Sequence, residues 1–224
     1  MELKGKIINF LGDSITEGVG VADRVHNRYD NIIKREEGLL EACNYGISGS
    51  RLAHQRVPSE DPRRDLCFCG RAYDMNPNAD AVVVYGGIND YFHGDAPVGQ
   101  KGDQTPATFW GAVWVLMTFL KKSYPDKPIV FMTPARCHYK GVPDTEPSGR
   151  PMKLADAMPV AAYVNIIKVL GEEIGVHVLD LFSTLPIDPK IEEQRLAYTV
   201  DGLHFNDEGH KILAAHLTAF LKTL

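Results

Sequence analysis

No hydrophobic run in this 224-residue sequence is long enough to cross a membrane or to form the core of a secretory leader. The first one, Ile7 to Leu11, is ended by Gly12 after only a few residues. A cytoplasmic location is the expectation. Concentrated positive charge is also missing: acidic and basic residues are mixed throughout, the formal net charge is -5, and no Lys/Arg stripe could neutralise a row of phosphates. Neither nucleic acid nor membrane is an expected partner. The densest basic spot, Arg63-Arg64 with Arg71 nearby, is interleaved with Glu60, Asp61 and Asp65 and reads as a solvated face. Cysteine is scarce. Cys43, Cys67, Cys69 and Cys137 sit at irregular spacings in a chain large enough to fold without staples, so free thiols are expected. Cys67-Phe68-Cys69 lacks the second pair that a zinc site needs. Repeats, low-complexity tracts and shifts of composition are absent too, which predicts one domain spanning residues 1–224. Self-association is left open.

What the chain does have is the material of a core: 44% hydrophobic against 24% charged residues, an ordinary globular balance. Short β-branched runs alternate with longer segments of helical period, the pattern of βαβ units whose parallel sheet is covered on both faces. Strands are predicted over Lys6 to Leu11, Leu40 to Tyr45, Ala81 to Tyr85, Ile129 to Thr133 and His177 to Leu181. Helices are predicted over about Tyr29 to Glu37, Pro106 to Ser123, Ala155 to Ile174 and Asp207 to Leu224. Asn206 can cap the last helix, whose Ile212, Leu213, His216, Leu217, Phe220 and Leu221 repeat on one face, making His216 a core histidine. Two stretches, His54 to Asn78 and Pro134 to Pro151, are too long for ordinary connections and are expected to shape a pocket.

Open parallel sheets bind ligands beyond the carboxyl ends of their strands. After the first predicted strand comes Gly12-Asp13-Ser14-Ile15, after the second Gly46-Ile47-Ser48-Gly49, and after the third Gly86-Gly87-Ile88-Asn89-Asp90. Asp201-Gly202-Leu203-His204 leads into the last helix. A serine hydroxyl becomes a useful nucleophile only beside a base that a third group orients. Ser14 and His204 can fill the first two roles. Asp201 is three residues before His204, close enough to reach the imidazole if Gly202 allows a tight turn. The charge that develops on an attacked ester carbonyl needs donors, and the backbone N–H groups of Ser14 and Gly49 and the side-chain amide of Asn89 could supply them. Each piece alone could be a plain turn; their joint order carries the signal.

At these residues the sequence resembles the SGNH hydrolases, also called GDSL esterases and lipases, named for the Ser, Gly, Asn and His of four sequence blocks. The resemblance spans nearly the whole chain. It implies a flavodoxin-like three-layer α/β/α sandwich around a mostly parallel five-stranded sheet, with Ser14 as nucleophile, Gly49 and Asn89 as oxyanion donors beside the Ser14 N–H, and Asp201 with His204 completing a triad. Two departures stand out: Gly-Asp-Ser-Ile replaces Gly-Asp-Ser-Leu, and the third block carries one extra residue before Asn89.

The resemblance implies hydrolysis of a small-molecule ester without any cofactor or metal. Asp13, His93 in the loop Tyr91 to Asp95, and Arg136 with His138 after the fourth strand are expected at the mouth. There they would bind a polar or carbohydrate alcohol whose short acyl group, acetyl for instance, sits near Ser14. A lysophospholipase or thioesterase type of acylhydrolase is the alternative. Less favoured are a metal-dependent deacetylase using His93, Asp95, His138 and His204, which lack the close helical spacing of a zinc motif, and a non-catalytic binding module.

Overall fold

The computed structural model describes residues 1–145 and 158–224. Five strands form one sheet: β1 Ile7–Gly12, β2 Glu41–Gly46, β3 Ala81–Tyr85, β4 Ile129–Met132 and β5 His177–Leu179, in the spatial order β2-β1-β3-β4-β5. Every neighbouring pair is parallel. The side-chain period of two splits each strand between two cores. Ile8 and Phe10 of β1 and Val83 and Tyr85 of β3 face one side. There they meet Ile32 and Ile33 of α2 (Tyr29–Glu37) and Leu213, Leu217 and Leu221 of α7 (Asp207–Leu221). Leu11, Val82 and Val84 face the other side, packing with Val113, Leu116 and Leu120 of α5 (Phe109–Ser123) and Val164, Ile167 and Leu170 of α6 (Val160–Ile174). The result is the three-layer α/β/α arrangement implied by the alternating pattern.

The chain reverses its direction of winding at β1, which lies between β2 and β3. The crevice above such a reversal is where α/β sheets accept ligands. Three short helices sit along this edge or behind it: α1 Ser14–Glu17, α3 Phe68–Arg71 and α4 Ile88–Phe92. The first lies flat on the strand ends. A Cβ at Gly46 would come 2.2 Å from the Glu17 nitrogen, so only glycine lets the end of β2 meet the α1 backbone.

Several boundaries differ from the sequence reading. The third long helix begins at Val160, after Pro159, rather than at Ala155. A residue preceding proline is pushed out of the helical region, so Met158 is non-helical; residues 155–157 lie outside those described. Helix α5 starts at Phe109, where the Thr108 hydroxyl accepts from the Gly111 N–H at 3.1 Å, not at Pro106. The last helix ends at Leu221, and Asn206 caps it by accepting from the Gly209 N–H at 3.0 Å. Its buried stripe is rotated from the expected one: His210 is buried, whereas His216 is only partly covered and its Nε2 lies 2.9 Å from the Thr184 hydroxyl. The stretch from His54 to Asn78 holds α3 and two short 3-10 turns. The described part of Pro134 to Pro151 forms a small antiparallel hairpin, His138–Tyr139 with Val142–Pro143; residues 146–151 of that stretch are outside the described residues.

The basic spot is not a solvated face throughout. Arg63 pairs with Glu17 at the surface, but Arg71 is buried. Its guanidinium donates to the carbonyls of Leu66, Tyr45 and Gly12 and to the Ser50 hydroxyl, and lies 5.0 Å from the centre of the Phe68 ring. It ties the outgoing ends of β1 and β2 to the turn that follows β2.

Candidate active site

Gly12 leaves β1 into Asp13, whose carboxylate accepts from the Ile15 N–H at 3.0 Å and caps α1. Asp13 is buried, and burial pushes its carboxyl up to about 7, opposed by that Ile15 hydrogen bond and by nearby positive charge. It caps the turn and is not among the residues lining the crevice, a correction to its expected place against substrate. The next residue, Ser14, does face the crevice, and its Oγ lies 2.9 Å from His204 Nε2. These two residues are 190 positions apart, and the opening of α7 brings them together.

His204 is held from behind. Its Nδ1 lies 2.7 Å from Asp201 Oδ2, while Asp201 Oδ1 accepts from the backbone N–H groups of Leu203 and His204 at 3.0 and 2.8 Å. Burial works to raise the Asp201 carboxyl, but these bonds outweigh it and hold the group below its ordinary value. An ionised carboxylate can only accept, so the imidazole proton sits on Nδ1 and Nε2 is left to accept from the serine. The turn needs Gly202, at φ +83, because a Cβ there would lie 2.4 Å from the His138 carbonyl oxygen.

A cavity of about 640 Å³ opens over Ser14 and His204, walled also by Gly49, Asn89, His93, Arg51, Gln55, Arg64 and Tyr139. Asn89, the second residue of α4, donates from Nδ2 to the Ser50 carbonyl at 3.0 Å, and its Oδ1 lies 2.9 Å from His93 Nε2. His93 Nδ1 in turn lies 2.9 Å from an Arg51 guanidinium nitrogen. The segment expected to be a polar loop, Tyr91 to Asp95, begins inside α4. Tyr91 and Phe92 are buried, and Asp95 accepts from the Arg56 and Val57 N–H groups, folding one wall of the cavity into place. Asp90 does the same for Leu52 and Ala53.

Arg136 is placed elsewhere. Its guanidinium lies over the Phe182 ring, 4.8 Å from the centroid, and it does not line the cavity; an aromatic face from the segment after β5 captures it. His138 lies behind Asp201 beside a separate shallow depression. Sequence reasoning missed Arg51 and Gln55. The Gln55 amide oxygen and nitrogen are both shielded from solvent without a hydrogen-bond partner among the described residues, and nothing in a lone Gln of a long loop signals that. Among the described residues, no three His, Cys, Asp or Glu side chains converge as a metal site would require, and no helix is long and apolar enough to cross a membrane.

A family model for GDSL-like lipases and acylhydrolases matches residues 10–212, a span that contains the Ser14, Gly49, Asn89, Asp201 and His204 positions. The chain belongs to the GDSL-like lipase/acylhydrolase family. It is a carboxylic ester hydrolase of that class. Solved structures agree in fold. A protein from Lactobacillus plantarum is 29% identical over 98% of both chains, with a TM-score of 0.81. An acetyl-xylooligosaccharide esterase from a Geobacillus species, in a mutant form, is 20% identical over 98% of this chain and 95% of its own, with a TM-score of 0.59. A proposed GDSL-like lipase from Bacteroides uniformis is 17% identical over 98% and 96%, with a TM-score of 0.69. No curated protein matches the sequence.

Proposed function

We propose that the protein hydrolyses short-chain acyl esters, acetyl esters foremost, of a small polar or carbohydrate alcohol. The observation that carries the catalytic half of this reading is the unbroken chain Ser14 Oγ, His204 Nε2, His204 Nδ1, Asp201 Oδ2, with links of 2.9 and 2.7 Å. His204 takes the Ser14 proton as Oγ attacks the carbonyl carbon. The carbonyl oxygen becomes negative and is met by the N–H groups of Ser14 and Gly49 and by the Asn89 amide. Collapse of the tetrahedral species breaks the ester bond, and imidazolium His204 protonates the departing alcohol. Water, deprotonated by the same imidazole, then cleaves the acyl-Ser14 bond and releases the acid.

The alcohol half rests on the cavity wall. Most of its side chains are polar, including Arg51, Arg64, Ser59, Glu60 and Gln55, and the Gln55 amide buries a donor and an acceptor with no protein partner among the described residues. The acetyl-xylooligosaccharide esterase of similar fold acts on an alcohol of this kind. An acylhydrolase of the lysophospholipase or thioesterase type would want a longer apolar lining than Val57, Pro58, Phe92, Tyr139 and Leu203 provide.

Two assays test this. A fluorophosphonate probe should label the wild-type protein and not Ser14→Ala. On p-nitrophenyl esters from acetate to octanoate, kcat/KM should fall with chain length, and acetylated sugars should be cleaved. Faster turnover of octanoate than of acetate refutes the acyl preference; labelling of Ser14→Ala refutes the nucleophile.

A further inference from the structure

We infer that His93 and Arg51 are positioning residues that set the orientation and donor strength of the Asn89 amide; this rests on the oxyanion role proposed for Asn89. The hydrogen-bond chain allows one assignment of protons. Arg51 is buried, held by the Asp65 carboxylate at 2.8 Å and the Arg64 carbonyl at 3.0 Å, and a guanidinium has donors only. His93 Nδ1, 2.9 Å from it, must accept and carries no proton. The neutral ring therefore bears its proton on Nε2 and donates to Asn89 Oδ1 at 2.9 Å. At the far end the Ser50 carbonyl can only accept, so the Asn89 atom 3.0 Å away is Nδ2. A donor-only group at one end and an acceptor-only group at the other fix every link, and the amide cannot turn over.

Asn89 lines the same cavity as Ser14. One Nδ2 proton is committed to Ser50, which leaves the second for a ligand. Donation into Oδ1 draws electron density from the amide and sharpens its N–H groups as donors, since hydrogen bonds in a chain polarise one another. Orientation matters as much. A reversed amide would present an oxygen lone pair to the negative charge it is meant to stabilise. In this arrangement His93 acts on the transition state through Asn89, with both of its ring nitrogens engaged by protein groups.

The test joins spectroscopy to a double-mutant cycle. Long-range proton–nitrogen correlation on 15N-histidine protein at pH 7.5, with His93 assigned from the His93→Gln spectrum, should show the ring as the neutral Nε2–H tautomer. A charged ring or an Nδ1–H tautomer overturns the inference. On a p-nitrophenyl acetate substrate, His93→Ala should lower kcat about 10-fold with little change in KM, the worth of one net hydrogen bond. In an Asn89→Ala background the same change should cost less than about 2-fold, because the residue it acts through is gone. Equal loss in both backgrounds means a structural role and overturns the proposal, while full activity in Ser14→Ala overturns the reading of the site beneath it. If His93→Ala does not fold, the wild-type tautomer decides.

Discussion

Asp13 offers the sharpest test of how burial and charge are balanced beneath Ser14. Its carboxyl is pushed from 3.8 to about 7 by burial at the start of α1. The folded protein then holds this proton more tightly than the unfolded chain does. Between pH 3.8 and about 7 the folded state carries the proton and the unfolded chain releases it, so stability falls as pH rises through that window. About three pH units at roughly 1.36 kcal/mol each amount to about 4 kcal/mol. An asparagine side chain is neutral at every pH and can still accept from the Ile15 N–H, so Asp13→Asn keeps the cap and removes the titration. His210 slopes the other way. It is buried against Tyr29, its Nδ1 accepts from the Tyr29 N–H at 3.2 Å, and burial holds it down at about 3. Its contribution is therefore complete above 6.5 and lost as pH falls towards 3. In the wild type the two slopes oppose each other between about pH 4 and 6.5. Urea unfolding of both proteins at about pH 4.5, 6 and 8 reads the share of Asp13 together with the groups coupled to it, because titrations that do not sense Asp13 cancel in the difference. The variant's advantage should grow by about 3 kcal/mol from the acid end to the alkaline one, the part of the window that lies above the lowest pH sampled. A difference that stays constant, or shrinks with rising pH, refutes the reasoning.

Two further perturbations address the supports of the site. Gly202→Ala forces a side chain into the left-handed region and within 2.4 Å of the His138 carbonyl oxygen. It should cost about 1–3 kcal/mol of stability and at least about 10-fold in kcat as the Asp201–His204 turn tilts; unchanged kcat would show that the turn tolerates the shift. Arg71→Met should remove the guanidinium donors of the Leu66, Tyr45 and Gly12 carbonyls, leaving the Gly12 oxygen with the Ile47 N–H at 3.0 Å, and cost about 3 kcal/mol, roughly 10 °C in melting temperature for a chain of this size. A melting temperature within about 2 °C of wild type, read by circular dichroism, would mean that the guanidinium's hydrogen bonds merely repay its desolvation.

The strands and the layers were legible because buried parallel strands are written in β-branched residues, as in Ala81–Tyr85, and because amphipathic helices repeat at 3.6; the order of the strands in the sheet was not, since composition does not encode which strand lies beside which. Ends were legible where a local cap marks them: Asn206 announces α7, whereas the helix at Val160 was read too long because Ala155 to Met158 is helix-compatible until Pro159 is given its due. Helix α4 escaped notice since five residues hold no period. The polar residues at the site divided along the same line. Asp201 and His204 are three apart and meet through one turn, a local relation. Asp13 and Arg136 are polar and close in sequence to the right strand ends, yet one is spent on a backbone N–H and the other on Phe182, partners that only tertiary packing supplies. Arg71 looked like surface because its neighbours in sequence are charged; its ligands are backbone carbonyls, which leave no trace in composition. His210 and His216 both sit near the stripe of α7, and a small rotation of the helix decides which one is dry.

Hydroxyl and imidazole lie near opposite ends of the chain, joined only when α7 docks beside α2 and the first strand. On the reading proposed for the site, Ser14 emerges from a ribosome long before His204 exists, so the nascent polypeptide would have no means of attacking esters it meets. Refolding from denaturant carries the same requirement on that reading: turnover should return only once His204 has reached Ser14, making recovered activity a report on completed assembly rather than on the formation of the sheet.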